Sequence, residues 1–201
     1  MGRATAVYGP YNTWATQKHI LPGQGEDASS STIMQRMSDF LKISKTCSNS
    51  DQTGCVKMGS IKDLNQETGG SLRPSGLSLN IATGEGVILS DGTGVWCFPL
   101  SNDSSKYTYI TVDIDGPNKG TNTYGKDIFE FTIDSDTGDI FPFGYDAYTN
   151  GSKTDIVNNQ CKTGRYAAAW IIQNDNADYL KADSSCKCPN GVELINNITC
   201  N

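Results

Sequence analysis

Two hydrophobic periods divide this chain. Between residues 29 and 44, SSSTIMQRMSDFLKIS places Ile33, Met37, Phe40 and Leu41 at helical spacing behind serines able to cap a first turn. The spacing predicts a short amphipathic helix that runs out into a cysteine-flanked loop. From residue 77 the period drops to two. Leu77, Leu79 and Ile81 alternate with Ser78, Asn80 and Ala82, as in a half-buried strand. GVILS and VWCFP, separated by a turn at Asp91-Gly92, predict a hairpin. In KYTYITVDI, Ile110, Val112 and Ile114 face one way and Tyr107, Tyr109 and Thr111 the other; DIFEFTI repeats the alternation through Phe129, Phe131 and Ile133. A turn at DSDTGD leads into IFPFG, where Pro142 restricts the last strand to a short or edge position. RYAAAWIIQN then predicts a second helix, with Ala167, Trp170 and Ile171 on one face.

The order is helix, antiparallel strands, short helix and cysteine-bound tail, which is an α+β arrangement. A chain of 201 residues fits one domain with a sizeable core. Residues 1–28, punctuated by GP and LPGQG, show no regular period and precede a globular unit over 29–201. There is no internal repeat.

Apolar residues make up 36% of the chain, a low share, and Gly, Ser, Thr, Asn and Asp are abundant. That mixture suits a loop-rich extracellular domain. The net charge of −6 leaves no basic footprint for nucleic acid. Seven cysteines in so polar a chain point to an oxidising compartment. The competing zinc reading lacks ligands: Cys186 and Cys188 are the only close pair, and His19 is the only histidine. Cys47 and Cys55 flank a polar loop and form the natural local bridge; the odd count leaves at least one cysteine outside any intrachain pair. No apolar run approaches the roughly 20 residues of a membrane-spanning helix. The first residues do not read as a signal peptide, so the expectation is that the sequence starts downstream of a removed segment.

Candidate chemistry concentrates in residues 111–144, which hold seven acids and five glycines. Asp113, Asp115, Asp127, Asp134, Asp136 and Asp139 could supply two carboxylates for glycoside hydrolysis, but aspartates in turns commonly accept hydrogen bonds from their own backbone. Nucleophilic catalysis has no support, since no G-x-S-x-G is present. A hard cation fits better. Calcium takes six to eight oxygens from a sharply turning loop. Asp113 and Asp115 stand two apart at a strand end, Asn118 and Asn122 follow a Gly-Pro turn, and Asp127 returns at the next strand. The EF-hand pattern is absent. The competing reading is a plain turn held by backbone hydrogen bonds.

The series MSDFLKISKTC…GCV, GVILSDGTGVWCF, TVDIDGPNKGTNTYGKDIFEFTID…TGDIFPFG and AAAWIIQNDNADYLK, in this order over residues 32–181, resembles type IV pilin-like proteins and pseudopilins. The resemblance implies a head in which an N-terminal helix packs on an antiparallel sheet. In full-length members that helix continues upstream into an apolar stalk, the only route to a membrane. It implies a non-enzymatic structural subunit at the cell surface or in the periplasm, whose partners are other pilin or pseudopilin subunits. It also implies calcium in the connecting loop, with Asp113, Asp115 and Asp127 as ligands and Asn118 and Asn122 as weaker ones. Members carry a cysteine just before the AAW helix where this chain has Tyr166, so Cys161 is expected to pair with Cys186 or Cys188. The leader and stalk of the family are missing here, and residues 1–28 and the tail match no part of it. The alternative is a secreted or cell-surface adhesin-like module, with Tyr107, Tyr109, Tyr145 and Tyr148 as its contact face.

Overall fold

The computed structural model describes residues 6–7, 34, 36–47, 55, 61–65, 85–99, 107–134, 137–145, 160–194 and 199–200. The strand expected over residues 77–81 lies outside them, as do Ile33, Asp136 and Tyr148.

Among the described residues, six strands form one sheet: β1 (Ile43–Cys47), β2 (Glu85–Leu89), β3 (Gly94–Pro99), β4 (Tyr107–Asp113), β5 (Ile128–Asp134) and β6 (Ile140–Pro142). Each strand pairs antiparallel with the next, so sequence order and spatial order coincide. The fold is therefore α+β and mostly β.

Turn chemistry accounts for the β2–β3 hairpin. The Leu89 N–H donates to the Thr93 carbonyl at 2.8 Å, and the Thr93 N–H donates to Asp91 Oδ1 at 2.9 Å. Gly92 takes φ +96°, a left-handed conformation that glycine adopts without steric cost. The short strand β6 sits at the sheet edge and ends on Pro142, which could not donate to a further ladder.

β1 corrects the reading of residues 29–44 as one helix. Residues 34 and 36–38 are helical, but 39 and 40 turn, and the chain enters the sheet at Ile43. Ser44, Lys45 and Thr46 of β1 are exposed, so its strand character comes from pairing with β2 rather than from its own apolar content. The buried helical side chain is Met34, with Met37 half-buried behind it; Phe40 is 37% exposed.

Both faces of the sheet are covered. On one, Met34 and Met37 pack with Val87, Val95, Cys97, Ile110, Phe131 and Ile133. On the other, Cys47, Cys55 and Ile61 pack with Trp96, Tyr109, Tyr124 and Ile128. This second face corrects the expectation that Tyr109 points to solvent. A third cluster gathers Cys161, Trp170, Tyr179, Leu194 and Cys200 around α1 (Ala167–Asn174). Ala167 and Trp170 are fully buried and Ile171 half-buried, as the helical spacing predicts. Burying a side chain of the size of Trp170 contributes about 3 kcal/mol or more. α1 ends at Asp175, whose left-handed backbone turns its N–H onto the Ile171 carbonyl at 2.8 Å.

Six of the seven cysteines are paired. Cys47 meets Cys55, Cys161 meets Cys186 and Cys188 meets Cys200, with Cα–Cα separations of 5.9, 5.3 and 5.3 Å. Cys97 lies outside these bridges, fully buried on β3. Disulfides in this number belong to an oxidising extracellular or periplasmic environment. No helix among the described residues is long and apolar enough to cross a membrane.

Candidate functional site

The register of β4 and β5 builds the acidic loop. Asp113 closes β4 opposite Ile128, which opens β5, so the loop of residues 114–127 starts and returns at one end of the sheet. The Ile114 N–H donates to the Asp127 carbonyl at 2.9 Å, pinning its base.

Asp127 is the loop's internal brace. One carboxylate oxygen accepts the Thr121 N–H at 2.7 Å and the Thr121 hydroxyl at 3.2 Å; the other accepts the Thr123 N–H. Asp113 Oδ1 accepts the Gly116 N–H at 2.9 Å. Asp115 closes the cluster. A Cβ added at Gly120 would lie 2.4 Å from Asp115 Oδ2 and 2.5 Å from Asp127 Oδ2, so the two carboxylates meet over the bare glycine backbone. Asp115 Oδ1 is buried and accepts no hydrogen bond.

Concentrated negative charge has a visible consequence. Burial first, and then the Asp115 and Asp127 carboxylates, push the Asp113 carboxyl up to about 7 against the opposing Gly116 N–H. Burial and the neighbouring carboxylates thus favour the protonated form of Asp113 over the charged one.

Three of the five expected ligands, Asp113, Asp115 and Asp127, thus come together. Asn122 is buried with φ +48°, and its amide donates to the Pro117 carbonyl at 3.4 Å, so it serves the turn. Asn118 is exposed and lines an open cleft of about 270 Å³ with Ser44, Lys45, Asp115 and Lys119. Among the described residues, no group of three or more His, Cys, Asp or Glu side chains stands in metal-holding geometry. Asp134 and Asp139 serve the next turn: Asp134 Oδ1 accepts the Thr137 N–H at 3.2 Å, and the Asp134 N–H donates to the Asp139 carbonyl at 2.9 Å. Tyr145 stacks on Phe141, with centroids 5.6 Å apart.

A second polar cluster lies under the sheet, where alternation alone places solvent. Glu130, on the face of β5 opposite Phe129 and Phe131, is 1% exposed. Tyr124, Asp63 and Arg165 surround it; burial pushes its carboxyl up to about 7 against the nearby Arg165 guanidinium. Arg165 sits 4.7 Å above the Tyr124 ring and 3.9 Å from Asp63. The available signal was an acid in the middle of the otherwise apolar run IFEFTI, with an arginine two residues before α1.

Comparison with protein-family models, with curated proteins and with solved structures finds no match to this chain.

Proposed function

We propose that this chain is the soluble head of an exported structural subunit, of the minor-pilin or pseudopilin kind, that works by assembly rather than turnover. One observation carries the reading: Met34 and Met37 lie against one face of a six-stranded antiparallel meander. A helical segment laid on a sheet in this way offers a route for an upstream stalk to join a head. The disulfides suit service outside the cytoplasm. The partners in this reading are other subunits of a type IV filament or a type II secretion-like system. Nucleic acid is not a direct partner of so acidic a surface.

Calcium belongs to the same proposal. Asp113, Asp115 and Asp127 supply hard oxygen donors, Asp115 Oδ1 has no hydrogen bond to give up, and the negative charge that, after burial, helps raise the Asp113 carboxyl would also favour a cation. Bound there, calcium would neutralise the carboxylates and stiffen the loop; Asp127 would keep the Thr121 and Thr123 N–H groups in place.

The test is expression of the gene in its own cell, followed by shearing and fractionation. The reading expects the protein in the sheared filament fraction or retained with the secretion apparatus, dependent on an upstream apolar segment of about 20 residues. Release as a free monomer after a conventional signal peptide is removed would replace it with the adhesin-like module.

A further inference from the structure

The buried polar cluster joins three parts of the chain that covalent connectivity leaves far apart. Residues 61–65 run between the acidic loop and the C-terminal unit. The Lys62 N–H donates to the Asn122 carbonyl at 2.9 Å, and the Tyr124 N–H donates back to the Lys62 carbonyl at 3.0 Å. On the other side, the Leu64 and Asn65 N–H groups donate to the Thr163 and Lys162 carbonyls at 3.2 and 3.0 Å. Gly164 closes the seam from the C-terminal unit: a Cβ there would lie 2.2 Å from the Tyr124 carbonyl oxygen. Tyr179 completes it, donating its hydroxyl to the Gly125 carbonyl at 2.6 Å.

Charges within this seam do not balance. Among the described residues, the groups acting on Glu130 are Asp63 from residues 61–65, Tyr124 from the acidic loop and Arg165 from the C-terminal unit. Its cross-strand neighbour on β4 is Thr111, which carries no charge. One guanidinium therefore faces two carboxyls. Asp63 keeps contact with Arg165 and with solvent, its side chain being 23% exposed. Glu130 is buried, Tyr124 reaches it with a hydrogen bond, and its Oε2 accepts none. An ionised carboxylate in that position would carry a buried oxygen that no protein donor reaches, which is costly, whereas the neutral acid leaves no buried charge uncompensated.

We infer that Glu130 is protonated in the closed head and that its ionisation loosens the seat of the C-terminal unit, residues 160–180, on the sheet. The seam is a proton-operated latch. It is tight where the compartment is mildly acid and eased where it is alkaline, and the Cys161–Cys186 and Cys188–Cys200 bridges lie within the C-terminal part and do not cross the seam. The acid is placed to act on the unit as a whole, because Arg165 stands two residues before α1, which carries the buried Trp170.

Hydrogen exchange tests this locally, read as protection factors so that the intrinsic pH dependence of exchange is removed. In the unmodified protein, protection of the Ala169 and Trp170 amides should fall by roughly tenfold between pH 5 and pH 8. Glu130→Gln, which mimics the protonated acid, should remove most of this fall, while Asp139→Asn, an exposed acid of the β5–β6 turn, should leave it unchanged. If Glu130→Gln fails to fold, Tyr124→Phe serves instead. That variant removes a donor that steadies the ionised form, so the midpoint of the fall should move to higher pH. Protection that is flat in the unmodified protein, a fall undiminished by Glu130→Gln, or a midpoint unmoved by Tyr124→Phe would each overturn the inference.

Discussion

At Gly86 the backbone of β2 passes directly under the Trp96 indole: a Cβ there would sit 1.9 Å from Cε3 of the ring. Gly92, at the tip of the same hairpin, has φ +96° and nothing within 4 Å of its would-be Cβ. The two glycines separate two reasons for the residue type. Gly86→Ala should lower the stability by about 1–3 kcal/mol through overpacking against a core ring. Gly92→Ala should lose only about 1 kcal/mol, the cost of a left-handed backbone with a side chain. Urea unfolding of both variants checks the ranking, and equal losses would remove the steric account. Asp115→Ala belongs to the same scale. If calcium sits in the loop, chelation should lower the melting temperature of the parent protein and leave this variant unaffected; no response to chelation returns residues 113–127 to a plain turn.

The elements are stapled unequally. Cys47–Cys55 spans 8 positions and Cys161–Cys186 spans 25. Loop-closure entropy then assigns about 2.5 kcal/mol to the first and about 3.5 kcal/mol to the second. Paired Cys→Ser replacements should follow that order, with the C-terminal unit suffering more. Thiol titration of unfolded, unreduced protein should find a single reactive cysteine, Cys97, because the other six are bridged. A count near seven would mean that the bridges do not form and would remove the case for an oxidising compartment. The same scale shows what pattern alone conveys. β2, β3, β4, β5 and α1 each carry apolar side chains at a regular period that can be read directly. β1 is different: with Ser44, Lys45 and Thr46 exposed, only the β2 edge beside it makes a strand of it.

At the scale of the molecule, two of the described acids make stability fall as pH rises. Asp113 and Glu130 both have folded-state values near 7 against ordinary values of 3.8 and 4.5. The folded protein holds these protons more tightly than the unfolded chain. Their contribution to stability is therefore complete below pH of about 4, is lost as pH rises toward about 7, and is level above that. The direction is opposite to that of salt-bridged carboxylates. Denaturant midpoints measured from pH 4 to pH 8 should fall across this window, and Asp113→Asn combined with Glu130→Gln should flatten the curve. Added calcium should restore stability mainly near and above pH 7, where Asp113 has given up its proton and its site can take a cation.

Sequence by itself determined the parts whose cause is local. The β2–β3 turn follows from Asp91 and Gly92, the short edge strand from Pro142, the helix face from Ala167 and Trp170, and the nearest cysteine bridge from the short separation of 8 positions from Cys47 to Cys55. The crowding of Asp113, Asp115 and Asp127 was equally legible, since one loop carries all three. Only the tertiary structure decided which strand faces were sheltered. Tyr109 and Glu130 have the period of solvent-facing positions, and both are buried because Cys55 and residues 61–65 and 160–180 lie over them. A period of two says that the faces differ, whereas burial depends on what distant segments bring to each.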